Sequence, residues 1–198
     1  SEPLGKKVAQ MAPLAPAKRR EYAAWLAPIL RGLASTDRRM VGHFTDDKVV
    51  LDYLQSEKMP ALSKLGTSCP DHFLRTKVRP MVLDLPPGAP RDKVRARLLQ
   101  LHEKYRADYR RYYEKFAEAD SPAMRGADPL IILIPGVGMF SFGPDKKTAR
   151  VASEFYINAI NVMRGAEALS TYRPISEREK FRIEYWALEE AKLQRLPN

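Results

Sequence analysis

Four consecutive positions, Cys69-Pro70-Asp71-His72, place a thiol, a carboxylate and an imidazole side by side. Gly66-Thr67-Ser68 precede them and could offer hydroxyls and backbone N–H groups to an anion. Arg75 and Lys77 follow, two cations able to hold a phosphate. The stretch therefore suits an anion site built from Thr67, Ser68, Asp71, Arg75 and Lys77. Cys69 and His72 could bind a metal, but two ligands do not close a tetrahedral site, so further ligands would have to come from elsewhere. A Cys69–His72 nucleophile pair is also conceivable, although adjacency in sequence does not establish its geometry. The plainer reading makes Cys69 a small buried apolar residue and Asp71 a cap for a turn at Phe73-Leu74.

The remaining candidates are weaker. His43 beside Phe44 suits a structural place at a strand edge. His102 falls on the polar side of a long helix, which suggests a solvated side chain. Gly136-Val137-Gly138 lacks the G-x-G-x-x-G spacing of a nucleotide loop and reads as a hairpin turn. No Ser-His-Asp set or carboxylate pair stands out.

The 198 residues suffice for one domain with a real core, and the 44% hydrophobic content excludes a disordered chain. No apolar run approaches the ~20 residues that would span a bilayer, so a soluble protein is expected. There is no signal-peptide pattern, and the single cysteine, Cys69, suits a reducing compartment such as the cytoplasm. The chain does not begin with Met and reads as a piece of a longer protein. A net charge of +10 raises nucleic acid as a partner. The 34 basic residues are, however, interleaved with 24 acidic ones, which favours solvated helix faces.

The elements that would position these residues can be read from apolar spacing. Residues 1–16 form an Ala/Pro-rich arm or linker. Lys18–Leu33 is helical, with Tyr22, Trp25, Leu26, Ile29, Leu30 and Leu33 inward, and Pro28 should kink or split it. Arg39–Phe44 suits a strand. Thr45 or Asp46 would cap a helix running to about Ser56, and Pro60–Leu65 adds a helical turn. Lys77–Leu85 suits a strand. Arg91–Phe116 is the longest helix, apolar along Val94, Leu98, Leu101, Tyr105, Tyr109, Tyr112 and Phe116, with Arg106 and other arginines opposite. Leu130–Ile134 and Met139–Phe142 form a hairpin across Pro135-Gly136. Asp145 caps a helix with Val151, Phe155, Ala159, Val162, Met163 and Ala166 on one face. Ser176 and Glu179 form a capping box for a last helix extending to about Gln194. The alternation implies an α/β fold, a small sheet flanked by long helices.

Four stretches together carry a family resemblance: LGTSCPDHFLRTKVRPMVLD, LIILIPGVGMFSFG, EFYINAINVMRGAEALSTY and FRIEYWALEEAKLQRLP. From about His43 to Pro197 the chain resembles the bifunctional rhamnulose-1-phosphate aldolase/short-chain dehydrogenase proteins, at the segment that precedes the dehydrogenase. The resemblance implies a class II aldolase/adducin-like fold over residues 17–198, as a partial or degenerate copy. It also implies a parent combining a lyase with an oxidoreductase, and a segment that is structural or completes a neighbouring site rather than acting alone. Class II aldolases hold zinc with an H-x-H pair and a later His in a hairpin. By that resemblance Thr67 and Cys69 stand at the H-x-H positions and Val137 at the hairpin position. No cofactor is then expected in this segment, with zinc and NAD belonging to other parts of the parent. The expected partners are the neighbouring aldolase and dehydrogenase domains, a sugar phosphate and a homo-oligomeric copy. Neither a membrane nor nucleic acid is expected.

Overall fold

A computed structural model describes residues 4–67, 69 and 72–194. The helices are α1 (Pro16–Leu33), α2 (Lys48–Leu54), α3 (Met59–Leu65), α4 (Phe73–Thr76), α5 (Arg91–Phe116), α6 (Lys146–Leu169), α7 (Glu177–Glu184) and α8 (Ala187–Gln194). The strands are β1 (Val41–Thr45), β2 (Met81–Val82), β3 (Ile131–Ile134) and β4 (Gly138–Gly143). They form one sheet in the order β1-β4-β3-β2. β4 runs antiparallel to both neighbours, whereas β2 is parallel to β3 because α5 carries the chain back between them.

The α/β class follows from strand period. Every residue of β3 is buried, so both faces must be covered. Ile132 and Ile134 join Phe140 and Phe142 under α1 and α5, against Leu26, Leu30, Val94 and Leu98. Ile131, Leu133 and Met139 face the other way, against Tyr53, Tyr156, Ile160 and Met163 from α2 and α6. A third cluster packs α7 on the far half of α5 through Tyr109, Tyr112, Phe181 and Tyr185. The sheet is thus sandwiched between two helical layers, and α7 extends one of them.

Several expected elements differ. α1 runs unbroken through Pro28; Pro28 and Ala24 are both exposed, so the carbonyl that loses its donor can face water. The inward face of α6 is centred on Ala152, Tyr156, Ile160 and Met163, and Val162 is exposed. The apolar arc of this helix is wide enough to fit either rotation, and the large Tyr156 fills the space under the sheet. The strand expected over Lys77–Leu85 shrinks to Met81–Val82, because Lys77 takes a left-handed backbone (φ 56°) and Pro80 has no N–H to give. α2 starts at Lys48, after Asp47, and no side chain caps it. The last helix is two, α7 and α8, interrupted at Tyr185-Trp186. The caps of α6 and α7 are as expected: Asp145 accepts from Thr148 N, and the Ser176–Glu179 box makes both bonds.

The N-terminal arm is tied down from Leu4 onward. Val8 N donates to Gln55 O at 2.8 Å and Leu14 N to Gly136 O at 2.9 Å. That second bond lands on the hairpin turn, where Val137 N closes on Ile134 O at 3.0 Å. Gly136 sits at φ 76°, and a Cβ there would lie 2.0 Å from Pro87 Cγ. Gly136→Ala is therefore expected to cost ~2 kcal/mol or more in urea unfolding, from strain and clash together. Gly32→Ala, in α1 with open space around it, should be neutral or stabilising by ~0.5–1 kcal/mol. Equal effects of the two changes would contradict the tight turn.

Candidate functional site

A cleft of about 1160 Å³ opens at the end of the sheet where β1 and β3 begin and β4 ends. This is somewhat above the ~300–1,000 Å³ usual for small-molecule sites. Its walls come from the loop after α1 (Asp37, Arg38), α4 and its C-cap (Arg75, Lys77), the loop before β3 (Arg125, Gly126, Asp128), the start of α6 (Thr148, Phe155) and α7–α8 (Glu184, Glu189, Glu190).

One wall is fixed by a buried carboxylate. Asp128 accepts from Thr36 N at 2.7 Å, Thr36 Oγ1 at 2.6 Å, Arg106 Nη1 at 2.6 Å and His102 Nε2 at 2.9 Å. Burial alone would raise its pKa, but the bonds from His102, Thr36 and Arg106 outweigh it and hold the carboxyl well below the usual range. Arg106 also holds Asp37 at 2.7 Å, and that bond keeps the Asp37 carboxyl ionised against desolvation. Asp37 in turn accepts from Ala127 N at 2.8 Å. α5, the loop after α1 and the loop before β3 are thereby held in one arrangement.

The opposite wall is a buried polar chain. Tyr109 OH donates to Glu184 Oε1 at 2.7 Å, and Tyr112 OH to Glu184 Oε2 at 3.1 Å. Tyr109 has given its one proton to Glu184, so the Tyr185 hydroxyl, 2.5 Å away, must donate to Tyr109. Burial raises the pKa of Glu184 and of all three tyrosines, that of Tyr185 to about 12. Arg125 closes this side, bonding to Glu190 at 2.6 Å and to the Glu184 carbonyl and lying over the Tyr185 ring at 4.4 Å.

Lys77 lies between the two walls. It is buried, its Nζ donates to Gly126 O, and the same atom sits 3.6 Å from the centre of the Tyr109 ring. No carboxylate is bonded to it among the described residues. Desolvation lowers its pKa to about 8, partly offset by Glu184, Asp128 and Asp37.

The residues singled out in sequence separate into two groups. Arg75 and Lys77 reach the cleft; Thr67, Cys69 and His72 are not among its described lining residues. Thr67 is fully buried, and its N–H donates to Val78 O at 3.0 Å. Its hydroxyl has no partner among the described residues. The Cys69 carbonyl accepts from His72 N at 3.1 Å. His72 stacks on Phe155 with ring centres 4.6 Å apart, and Arg75 lies over the same ring at 5.9 Å. Ser68 and Asp71 lie outside the described residues. His43 occupies the edge strand β1, as expected. His102, expected in solvent, is instead buried against Asp128, and Arg106 beside it is turned inward. Their i,i+4 spacing on α5 was the available signal; the partner lies across a loop and could not be read locally.

Residues 21–193 match the family described as aldolase class II, second domain. The chain belongs to the class II aldolase second-domain family. A curated relative, the uncharacterized oxidoreductase YuxG of Bacillus subtilis (strain 168), is 34% identical over 186 residues. That match covers 93% of this chain and 27% of the relative, so the chain spans about a quarter of the relative's length. No solved structure matches the chain.

The zinc ligands of a class II aldolase do not map onto this second domain. Val137 is apolar and buried among Leu26, Leu30 and Phe140, beyond the C-terminal end of β3. Thr67 bonds to Val78, ahead of the N-terminal end of β2. Because β2 and β3 are parallel, these positions lie at opposite ends of the sheet. Among the described residues no three His, Cys, Asp or Glu side chains converge as a metal-holding group. At these two positions a threonine and a buried valine do not fit the zinc ligand set that the resemblance implies.

Removing one partner from a buried charge cluster leaves the others unpaired, so Asp128→Ala is expected to cost ~3–5 kcal/mol in urea unfolding at pH 7. The depressed pKa sets the sign of the acid dependence. The Asp128 contribution is complete above the unfolded value of ~4 and is lost as pH falls toward the folded one. Asp128→Asn should therefore flatten the acid limb of the stability profile. An unchanged acid limb would show that Asp128 is not the anchor.

Proposed function

We propose that this chain is the aldolase-like segment of a longer sugar-metabolic protein of the rhamnulose-1-phosphate aldolase/short-chain dehydrogenase type, working in the cytoplasm. Its task is to complete the site of the neighbouring aldolase part by holding the anionic end of a sugar phosphate in the cleft. The observation that carries this reading is the convergence of Arg75, Lys77 and Arg38 on one cleft. Neither Arg38 nor Arg75 makes an ion pair among the described residues, whereas Arg106 and Arg125 are engaged by carboxylates. Two guanidinium groups without a carboxylate partner among the described residues, together with a buried amine, favour a dianion, and Arg presents the planar fork that matches phosphate.

Two further observations support the reading. The relative's printed name is oxidoreductase, and its length leaves room for a dehydrogenase beyond this segment. No described helix is long and apolar enough to cross a membrane, in keeping with a cytoplasmic place. Zinc and NAD would be held by other parts of the longer protein. Nucleic acid is the weaker reading, because much of the basic face of α5 is paired with carboxylates: Arg97 with Asp84, and Lys104 and Arg111 with Asp108.

The test is cleavage of rhamnulose 1-phosphate by the full-length protein. Arg75→Ala is expected to raise KM at least about tenfold, a loss of ~1.4 kcal/mol of binding. Arg110→Ala, on the exposed face of α5, should leave KM unchanged. Equal kinetics for wild type and Arg75→Ala would overturn the reading.

A further inference from the structure

The two edges of the sheet differ. β2 offers only two residues and follows Pro80, and shortness and proline both protect an edge from further pairing. β1 is five residues long, Val41–Thr45, and holds no proline or lysine. Its backbone groups point alternately toward β4 and toward the open side. Phe142 N donates to Leu130 O at 2.9 Å, so the even-numbered residues of β4 turn to β3 and the odd-numbered ones to β1. The odd-numbered residues of β1 therefore meet β4, in the pairs Val41–Gly143, His43–Ser141 and Thr45–Met139. The backbone groups of Gly42 and Phe44 point outward. Gly42 is exposed, and no described residue bonds to these groups. Charges flank the same edge in mirrored order: Arg38-Arg39 before Met40, and Asp46-Asp47 after Thr45. Arg39 and Asp47 are exposed, and neither makes an ion pair among the described residues, whereas Asp46 is held by Arg19 at 3.0 Å. The Asp47 side chain does not cap α2 either.

We infer that β1 pairs edge to edge with β1 of a second copy of this chain, antiparallel about a two-fold axis through His43. The inference is independent of the anion-binding reading above. In this arrangement Gly42 lies opposite Phe44 of the partner subunit, and Phe44 opposite the partner's Gly42. Each of these pairs exchanges both of its N–H···O bonds, so every outward backbone group of Gly42 and Phe44 is satisfied. The same register sets Arg39 opposite Asp47 of the partner subunit and Asp47 opposite the partner's Arg39. Opposite charges facing across a strand pair are stabilising, and the two-fold axis makes the contact occur twice.

The mirrored charges are what single out a like copy. A strand from elsewhere would not require basic residues before β1 and acidic ones after it, whereas self-pairing does. They also fix the register. The smallest slip that keeps each side chain on its own face is two residues, and it would set Arg39 against Thr45 or Val49 of the partner subunit. His43 meets the partner's His43 on the axis. The charged groups around it are Arg150, Glu154 and Lys146 of α6, and Asp47. Burial first, and Arg150 second, lower the His43 pKa, so the two imidazoles meet uncharged at pH 7. The pairing joins two four-stranded sheets into one and leaves only the short β2 edges open.

Disulfide trapping in the full-length protein is the test. Residues facing each other in a non-hydrogen-bonded pair have Cβ atoms ~4.5–5.5 Å apart, close to the reach of a disulfide. His43→Cys, oxidised with copper–phenanthroline, is expected to give a dimer in which mass spectrometry finds the peptide containing position 43 linked to itself. Thr45→Cys is the control, because the two copies of position 45 would lie ~13 Å apart along the strands. Its self-link should be about tenfold less abundant or lower. Adding Arg39→Asp to His43→Cys sets like charges opposite each other twice and should slow trapping about fivefold. Adding Asp47→Arg as well should restore it. A self-link at position 43 no more abundant than in Thr45→Cys overturns the inference, and so does trapping that ignores the charge reversal. The wild-type protein gives a second measurement, by hydrogen exchange and sedimentation. Protected amides at Gly42 and Phe44 in a protein that sediments as a monomer would mean that another segment of the longer chain holds the edge. Unprotected amides would mean that the edge stays open. Either result overturns the pairing of two copies.

Discussion

The carboxylate of Asp128 is the contact on which the cleft depends. It receives bonds from residues 92 positions earlier (Thr36) and 22 and 26 positions earlier (Arg106 and His102). A buried carboxylate is costly unless every lone pair is met by a donor. Here the donors come from α5 and from the turn after α1, so satisfying the charge also fixes where those segments meet the start of β3. Asp37, held by the same Arg106, fastens Ala127 and with it the Gly126 carbonyl that receives Lys77. The position of the buried amine is thus inherited from a charge cluster several residues away.

The second constraint is the packing of α7 on α5. The aromatic cluster of Tyr109, Tyr112, Phe181 and Tyr185 buries ring surface but must also place its hydroxyls. It does so on Glu184, which burial alone would leave as an unsatisfied carboxyl. The polar chain is therefore a consequence of using tyrosine where phenylalanine would have packed. That chain lends one wall of the cleft proton-carrying groups, while the other wall carries fixed charge. Burial of the Lys77 amine between these walls is what lowers its pKa, partly offset by the carboxylates of Glu184, Asp128 and Asp37.

The layered fold was legible because it rests on short-range signals. The all-apolar β3, the Pro-Gly turn, the apolar period of α5 and the Ser176–Glu179 box all lie within a few residues of one another. What escaped the sequence depends on distant partners. His102 and Arg106 sit on the polar side of α5 and look solvated until Asp128 arrives from another loop. Glu184 and Tyr185 looked like one continuous helix, because the break before α8 leaves no Gly or Pro signal. The stretch from Thr67 to Lys77 mixes residue types that suggest one site, yet among its described residues those that line the cleft are Phe73, Leu74, Arg75 and Lys77, from its C-terminal part. The family resemblance pointed to the right fold, while two of its zinc positions, Thr67 and Val137, lie at opposite ends of the sheet.

The measurement that bears most directly on this account is the titration of Lys77 by NMR, following its side-chain carbon beside the amine in selectively labelled protein, with Lys77→Arg to assign the signal. A midpoint at about 8 is expected for an amine held between these two walls. A midpoint near the ordinary lysine value of ~10.4 would mean that the amine is solvated or paired with a carboxylate, and would contradict the cleft as described.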